Sequence, residues 1–198
     1  MSSSNIYEDI TAIVLAGGQG KRLGNVDKGL LEYKTHRYID ICLQKLQKYH
    51  RNILVSTNSQ EDAYRSSQHP LIPDTKNESQ GPLSGLLSCA PLVSTTLTLV
   101  VPVDAPFFPE DYSQRMYNAY NNSHQTCVVY DGQRNQNLFI LFETDLFKNM
   151  QNYYDSGNRS VKNWLQGQPC QFVDFSDMSE AFLNVNTPQE LQSASKKL

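Results

Sequence analysis

Residues 13–30 read IVLAGGQGKRLGNVDKGL and join an apolar run to a loop rich in glycine and cations. The run TAIVLA (11–16) has the apolar, β-branched character of a buried strand. The loop contains four glycines and three cations, namely Gly17, Gly18, Gly20, Gly24, Lys21, Arg22 and Lys28. Glycines at a strand end let backbone N–H groups approach a phosphate without obstruction from Cβ, and cations neutralise its charge. The segment therefore predicts a phosphate-binding loop after a buried strand.

The glycine spacing differs from that of two well-known phosphate-binding motifs. A Walker A loop requires GxxxxGK followed by Ser or Thr, and no pair of glycines here has that spacing followed by Lys-Ser or Lys-Thr. A GxGxxG dinucleotide motif would need glycine at position 23, which is Leu23. An ordinary strand-to-loop turn with solvated cations is the alternative interpretation. The convergence of four glycines and three cations within the twelve residues 17–28 favours a phosphate site.

Similar apolar runs recur along the chain, and helical patterns lie between them. Strands are predicted at 11–16, 53–57, 97–104, 126–131, 137–143 and 171–175. Helices are predicted at 38–49, 81–93 and 110–121, and a last helix is predicted to begin with Thr187 as N-cap, Pro188 and Glu190. This alternation predicts an α/β fold with a mostly parallel sheet covered by helices on both faces. We expect a single domain over 1–198, with 1–9 as a flexible N-terminal tail.

The charge balance and the composition exclude several classes of protein. The chain has 198 residues, with 17 Lys and Arg against 20 Asp and Glu, so it lacks the basic surface of a general nucleic-acid binder. Its longest apolar run, LTLVVPV (97–103), is too short to span a membrane, and MSSSNIYEDI is no secretory signal. The four cysteines form no CxxC pair and are expected to be free thiols. We expect a cytoplasmic protein that binds neither nucleic acid nor membrane.

Asp104 ends the apolar run LTLVVPVD (97–104), at the carboxyl end of a predicted strand. Ligands of open α/β sheets bind beyond the carboxyl ends of the strands, so this carboxylate is a candidate site residue. A carboxylate oxygen suits Mg²⁺, which keeps most of its waters and bridges to substrate phosphates. The alternative is an Asp that caps the turn at Ala105 and Pro106.

A series of further motifs extends the pattern over most of the chain. They are LAGG (15–18), RLG (22–24), DKGL (27–30), Asp74, GPLSG (81–85), PVDAPF (102–107), DG (131–132), VDFS (173–176) and NVNTP (184–188). In this order they resemble the motifs of the molybdenum cofactor guanylyltransferases, which are nucleotidyltransferases with a three-layer Rossmann-like fold. The chain departs from that family at Asn25, where a second glycine is common, and near Asn137, where a proline is common.

The resemblance implies a reaction and the roles of three catalytic residues. GMP would pass from GTP to Mo-molybdopterin, which forms the guanine dinucleotide cofactor and pyrophosphate. Asp104 would hold Mg²⁺, Arg22 the β- and γ-phosphates, and Lys28 the charge that develops at the α-phosphorus. Gly17 favours guanine, because the cytidylyltransferases of the same cofactor usually carry Leu-Ala-Ala-Gly here. Molybdoenzymes or other cofactor-biosynthesis proteins are possible partners beyond the two substrates.

The resemblance also assigns residues to two sides of the active site. The nucleotide side comprises Leu15, Ala16, Gly17, Gly18, Arg22, Lys28, Ser56, Asp74, Gly81, Gly85 and Asp104. The pterin side comprises Asn184 and Asn186, which would face one side of an extended segment. At the end of the second strand, ungapped counting selects Ser56, while Asn58 lies two residues further on. Both remain candidates.

Other interpretations of these residues and of the chain stay open. Asp74 also suits a Pro-Asp turn after the extended residues 71–73, and 81–85 also suit a helix start packed on the sheet. Asn184 and Asn186 also suit the turn before a helix N-cap. The alternative functions are a cytidylyltransferase, a sugar-phosphate nucleotidyltransferase, or a non-catalytic protein that binds or delivers the cofactor. The joint presence of Arg22, Lys28 and Asp104 favours an enzyme.

Overall fold

The computed structural model describes residues 7–17, 19–20, 26–59, 64, 68–74 and 81–185. Its strands are β1 (Ile10–Leu15), β2 (Gln19–Gly20), β3 (Val26–Asp27), β4 (Glu32–Tyr33), β5 (His36–Arg37), β6 (Asn52–Ser56), β7 (Leu71–Ile72), β8 (Leu97–Pro102), β9 (Thr126–Tyr130), β10 (Asn135–Glu143) and β11 (Cys170–Asp174). Its helices are α1 (Tyr38–Leu46), α2 (Pro82–Cys89), α3 (Tyr112–Ser123), α4 (Leu146–Asp155) and α5 (Val161–Gln166). Short 3₁₀ helices cover Lys28–Leu30, Ala90–Leu92 and Ser176–Phe182.

In the described residues, seven strands form the main sheet in the order β11-β9-β10-β8-β1-β6-β7. Strand β1 is parallel to β6 and β8, β6 is parallel to β7, and β11 is parallel to β9. Strand β10 is antiparallel to both of its neighbours. The tight turn from β9 to β10, in which the Asp131 N–H donates to Arg134 O, imposes this direction. The predicted mostly parallel sheet is confirmed.

Two apolar clusters cover the two faces of this sheet. In β1, Ala12 and Val14 pack into one cluster with α1 and α3, whereas Ile13 and Leu15 pack into the other with α2, α4 and α5. Every residue of β1 is buried, as expected of a strand between two layers of helices. The three-layer α/β arrangement that the sequence predicts is therefore confirmed.

Two helices of the second layer were not predicted from the sequence. Helix α4 buries Phe147, Met150 and Tyr154, whose spacing places them on one face, but its polar composition hides this pattern. Helix α5 has six residues, and Ser160 caps it by accepting a hydrogen bond from the Asn163 N–H. The predicted helix from Thr187 onward lies outside the described residues.

The N-terminal segment required a correction. Tyr7 is buried, its backbone N–H donates to Tyr49 O, and its ring packs on Tyr117 with centroids 4.6 Å apart. Tyr7 therefore packs on the domain, and the prediction of a flexible tail does not hold for this residue. An aromatic side chain that buries a large apolar area holds the chain down here. The single-domain prediction for 1–198 includes residues beyond the described ones and stays a prediction.

The cysteines are unpaired, as the sequence predicted. Cys42, Cys89 and Cys127 are buried, and Cys170 is half-buried. Burial raises the pKa of Cys42 and of Cys89 to about 12, so both thiols stay protonated at neutral pH. Within the part of the chain that the structure describes, no helix has the length and apolar character needed to cross a membrane.

Candidate active site

The loop after β1 lies between the carboxyl ends of two neighbouring strands. The Ala16 N–H donates to Ser56 O at 2.8 Å, and the Val103 N–H donates to Leu15 O at 3.0 Å. Leu15 and Ala16 are buried, so only their backbone groups are candidates for contact with a ligand. Gly17 is exposed at the sheet edge. Gly18 and Arg22, also predicted here, lie outside the described residues.

Lys28 and Asp104 meet at this edge although they are far apart in sequence. Lys28 Nζ donates to Asp104 Oδ2 at 2.9 Å, and the two side chains are 27% and 18% exposed. Lys28 begins a 3₁₀ helix whose N-cap is Asp27. The Asp27 carboxylate accepts from the Gly29 N–H at 3.0 Å and from the Tyr64 hydroxyl at 2.7 Å. The structure thus brings two of the predicted catalytic residues into direct contact.

The backbone around Asp104 is held on two sides. The Val103 N–H bonds to Leu15 O, and Asp104 O accepts from the Val185 N–H at 2.7 Å. In the described residues the Asp104 side chain bonds to Lys28 and not to the backbone of the following turn. The structure therefore does not support the alternative in which the Asp104 side chain caps the turn at Ala105 and Pro106. Its carboxylate is available to a cation.

Asp74 and Asn58 form a second polar pair, beyond the ends of β6 and β7. The Asn58 amide donates to Asp74 Oδ2 at 3.2 Å, and the Asp74 N–H donates to Asn58 Oδ1 at 2.7 Å. Burial raises the pKa of Asp74, and the hydrogen bond from Asn58 offsets only part of that rise. Asn58 is exposed, so this pair faces solvent next to the loop.

Ser56 and Gly85, both predicted nucleotide contacts, are packed against each other instead. Ser56 is 1% exposed. A Cβ on Gly85 would lie 2.5 Å from Ser56 Oγ and 3.3 Å from the Leu15 side chain. Gly85 is therefore the point where α2 approaches the sheet most closely, as the helix-packing alternative required. The Ser56 hydroxyl is buried beneath Gly85, whereas Asn58 is exposed just beyond the end of β6.

Gly81 differs from Gly85 because it is exposed and lies at the N-terminus of α2. Its φ is 87°, a conformation that favours glycine, and no side chain caps the helix there. Free N–H groups at a helix start suit an anionic or polar ligand. Gly81 thus remains a candidate contact.

A cavity of about 540 Å³ lies between the end of β8, the strand β10 and the helix α5. Pro102, the last residue of β8, and Asn184 line it. Its other polar lining residues come from the turn before β10, from β10 and from α5, and they are Arg134, Asn135, Gln136, Asn137, Lys162 and Gln166. The structure thus places Asn184 in the lining of this cavity, next in sequence to Val185, whose N–H donates to Asp104 O. Asn186, its predicted companion, lies outside the described residues.

Sequence reasoning selected Asn184 but not the two cationic residues or the other amide residues of this cavity. The polar run from Gln133 to Asn137 reads as a loop in the sequence. The sequence feature that could have pointed to these residues is the Asp131–Gly132 pair just before them. This pair is typical of a turn and belongs to the series of family motifs. Asp131 is buried and accepts three hydrogen bonds within the turn.

The donor set offers one candidate metal ligand. The described residues contain no group of three or more His, Cys, Asp or Glu side chains that could enclose an ion. Asp104 supplies a single carboxylate, already paired with the Lys28 ammonium. One carboxylate together with substrate phosphates and waters is a common arrangement for Mg²⁺.

Comparison with known proteins decides the family. Residues 12–171 match the family model described as a MobA-like NTP transferase domain. The chain belongs to this family. A molybdenum cofactor guanylyltransferase of Shewanella loihica is 33% identical over 190 residues, covering 96% of this chain and 97% of that protein. One of Pasteurella multocida is 34% identical over 184 residues, covering 92% and 97%.

Solved structures support the fold of this MobA-like NTP transferase. Molybdopterin-guanine dinucleotide biosynthesis protein A from Archaeoglobus fulgidus has a TM-score of 0.76 at 17% identity, covering 94% of this chain and 97% of that one. The 2-C-methyl-D-erythritol 4-phosphate cytidylyltransferase from Thermus thermophilus has a TM-score of 0.72 at 16% identity, covering 96% and 98%. The chain therefore has the nucleotidyltransferase fold.

Proposed function

We propose that this chain transfers GMP from GTP to Mo-molybdopterin, forming the guanine dinucleotide cofactor and pyrophosphate. An oxygen of the acceptor's terminal phosphate bonds to the α-phosphorus, and the bond from that phosphorus to the α–β bridging oxygen breaks. The bridging oxygen leaves with the electron pair as part of pyrophosphate. The observation that carries the proposal is the Lys28–Asp104 pair, 2.9 Å apart, which lies just beyond the end of β8, the strand whose last residue, Pro102, lines the cavity.

On the nucleotide side, backbone N–H groups and charged side chains bind GTP. The loop at Gly17, with Arg22, holds the β- and γ-phosphates of the leaving group, while Lys28 stabilises the charge at the α-phosphorus. Asp74, oriented by Asn58, accepts hydrogen bonds from ribose hydroxyls or from guanine N–H donors. Positioning and electrostatic stabilisation supply most of the rate in such transfers. No general base is needed, because a phosphate nucleophile is already anionic at neutral pH.

Asp104 is the residue that would hold Mg²⁺. Its carboxylate fits a cation, because it already accepts a hydrogen bond from the Lys28 ammonium at 2.9 Å and remains partly exposed. When bound, the ion supplies Lewis-acid stabilisation of negative charge on phosphate oxygens. Lys28 is partly exposed beside this carboxylate and would supply its positive charge to the nucleotide phosphates.

The acceptor side is the cavity that begins at Pro102 and Asn184. Lys162 and Arg134 supply positive charge for an anionic acceptor, and the neighbouring amides offer hydrogen bonds to a heterocyclic ring. GTP is a cytoplasmic nucleotide, so we place the reaction in the cytoplasm. Molybdoenzymes or other cofactor-biosynthesis proteins would receive the product.

Pyrophosphate release with each of the four NTPs, with and without molybdopterin, tests this function. We expect release with GTP and molybdopterin together, and calorimetric binding of GTP with Mg²⁺ at least about tenfold tighter than that of CTP, equivalent to about 1.4 kcal/mol. Equal or better use of CTP would identify a cytidylyltransferase. Release with a sugar 1-phosphate in place of the pterin would identify the sugar-phosphate alternative. Binding of the pterin without release from any NTP would identify a carrier.

A further inference from the structure

The turn between β9 and β10 is fixed tightly against its surroundings. Gly132 has a φ of 90°, and a Cβ there would lie 2.8 Å from the Ser176 Cβ. Asp131 is 4% exposed, and its backbone N–H donates to Arg134 O at 3.1 Å. These contacts leave the turn little freedom, so the side chains that it directs at the cavity are held in place.

The two oxygens of Asp131 bind different groups. Oδ1 accepts from the backbone N–H of Gln133 at 2.8 Å and of Arg134 at 2.7 Å, whereas Oδ2 accepts from Gln136 Nε2 at 2.6 Å. Burial raises the pKa of Asp131, but these hydrogen bonds and the Arg134 charge outweigh it and leave the pKa below its usual value. The carboxylate is therefore ionised at neutral pH and can only accept hydrogen bonds.

An acceptor-only partner decides which way the Gln136 amide turns. Its NH₂ group must face Asp131, and its carbonyl oxygen Oε1 is then left for another donor. No described residue donates a hydrogen bond to Oε1, and the Gln136 side chain lines the cavity. The orientation of this amide thus follows from the charge of Asp131.

The backbone of Gln136 is anchored as well. Gln136 pairs with Val129 across the sheet, while Ile140 pairs with the adjacent Val128, so residues 137–139 form a bulge in β10. Bulges occur beside active sites, where they redirect side chains. Gln136 therefore lies at the last regular pair before the bulge, with both its backbone and its amide held.

We propose that Asp131 orients Gln136 so that Gln136 Oε1 accepts a hydrogen bond from a ring N–H or amino group of the acceptor heterocycle. Gln136 is thus a specificity residue and Asp131 its positioning residue. The inference rests on the proposed function, because it takes the cavity as the acceptor site. The inference also specifies the chemistry of the acceptor. The bound ring must present an N–H donor to Gln136 Oε1, as the pyrimidine part of a pterin does. Arg134 and Lys162 lie in the same cavity and suit the anionic part of that ligand.

Asp131→Asn is the decisive variant, because it keeps the size of the side chain and reverses one hydrogen bond. The Asn oxygen still accepts from the turn N–H groups, while its NH₂ now faces Gln136 and forces the Gln136 amide to turn over. We expect the KM for molybdopterin to rise by about tenfold, with the KM for GTP and the saturated kcat within about twofold of the parent. Thermal unfolding should confirm that the variant stays folded.

The double variant Asp131→Asn with Gln136→Glu shows whether the effect of Asp131→Asn comes from the orientation of the residue 136 side chain or from a loss of protein stability. The new amide can donate to the Glu carboxylate, whose other oxygen again offers an acceptor to the cavity. We expect the KM for molybdopterin to return to within about threefold of the parent. Asp155→Asn is the matched control, because Asp155 also accepts a hydrogen bond from a glutamine amide, Gln151 Nε2 at 2.9 Å, on the exposed side of α4 and away from the residues that line the cavity. Its kinetics should match the parent.

Binding of molybdopterin, followed by pterin fluorescence without nucleotide, is measured for the same proteins. An unchanged KM and affinity in Asp131→Asn would overturn the inference. A loss that Gln136→Glu fails to restore would overturn it too, and would leave Asp131 with a structural role. If the parent binds the pterin but releases no pyrophosphate, the proposed reaction fails while the binding arm still tests the orientation. If the parent binds no pterin at all, both proposals are wrong.

Discussion

The two halves of the sheet offer different chemical groups to a ligand. In the first half, β1, β6 and β8 are parallel, and their carboxyl ends present backbone groups and the Lys28–Asp104 pair. In the second half, β9 and β10 form an antiparallel hairpin whose turn and bulge direct amide side chains into a cavity. Phosphates suit fixed N–H groups and charge, whereas a heterocycle needs individual donors and acceptors. The first solution leaves a motif in the sequence, and the second leaves little trace.

The two halves also differ in how freely their charged groups can change partners. Lys28 and Asp104 are partly exposed and bonded to each other, so a metal ion or a phosphate can replace either partner. Asp131 is buried, and both of its oxygens are engaged within one turn. Reactive groups must exchange contacts during turnover, whereas a recognition group works best when it is already in place. This difference predicts the order of the following effects.

Asp104→Asn should have the largest effect. Asn keeps the size and one acceptor oxygen for Lys28, but it removes the negative charge that would hold Mg²⁺. We expect turnover to fall by roughly 10³-fold, with partial recovery at high Mg²⁺ or Mn²⁺ because mass action compensates for weaker binding. The measurement is the metal dependence of pyrophosphate release, with a thermal melt to show that folding survives. If pyrophosphate release depends on metal concentration in the same way in parent and variant, Asp104 is not a metal ligand.

Lys28→Ala should have the next largest effect. Loss of the Lys28 charge, which would stabilise the charge at the α-phosphorus, should lower turnover by about 10²-fold, with little change in melting temperature. Lys48→Ala is the matched control, because Lys48 also forms an ion pair, with Glu110 at 2.6 Å, but on the exposed surface. Exposed pairs contribute little to stability, so the control should behave like the parent. Equal activity of the two variants would make Lys28 an ordinary surface cation.

The smallest effect distinguishes Asn58 from Ser56. Asn58→Ala removes both hydrogen bonds to Asp74, and we expect calorimetry to show GTP affinity weaker by about fivefold, the scale of one net hydrogen bond. Ser56→Ala removes a buried hydroxyl that has no hydrogen-bond partner in the described residues, so GTP affinity should stay within about twofold. If Ser56→Ala weakens GTP binding and Asn58→Ala does not, Ser56 is the residue that contacts the nucleotide, although it is buried here.

The sequence predicted strands better than helices, for a physical reason. Strands between two layers of helices are apolar on both faces, so runs such as 11–16 and 97–104 stand out. Helix α4 buries one face only, and its exposed face carries Asn, Lys and Gln, which obscures its period. Tyr7 was taken as part of a tail because its partners, Tyr49 and Tyr117, lie far along the chain.

For the site, the sequence by itself determined the loop from Gly17 and the carboxylate at Asp104. Both depend on local chemistry: glycine frees the backbone at a strand end, and a polar residue at the end of a buried strand faces a ligand edge. Tertiary structure alone decided that Lys28 meets Asp104, that Ser56 lies under Gly85 with Asn58 left accessible, and that the turn at Asp131 orients Gln136. These contacts depend on how separate segments of the chain pack against each other. Residue type at one position carries no information about them until the sheet has brought its strands together.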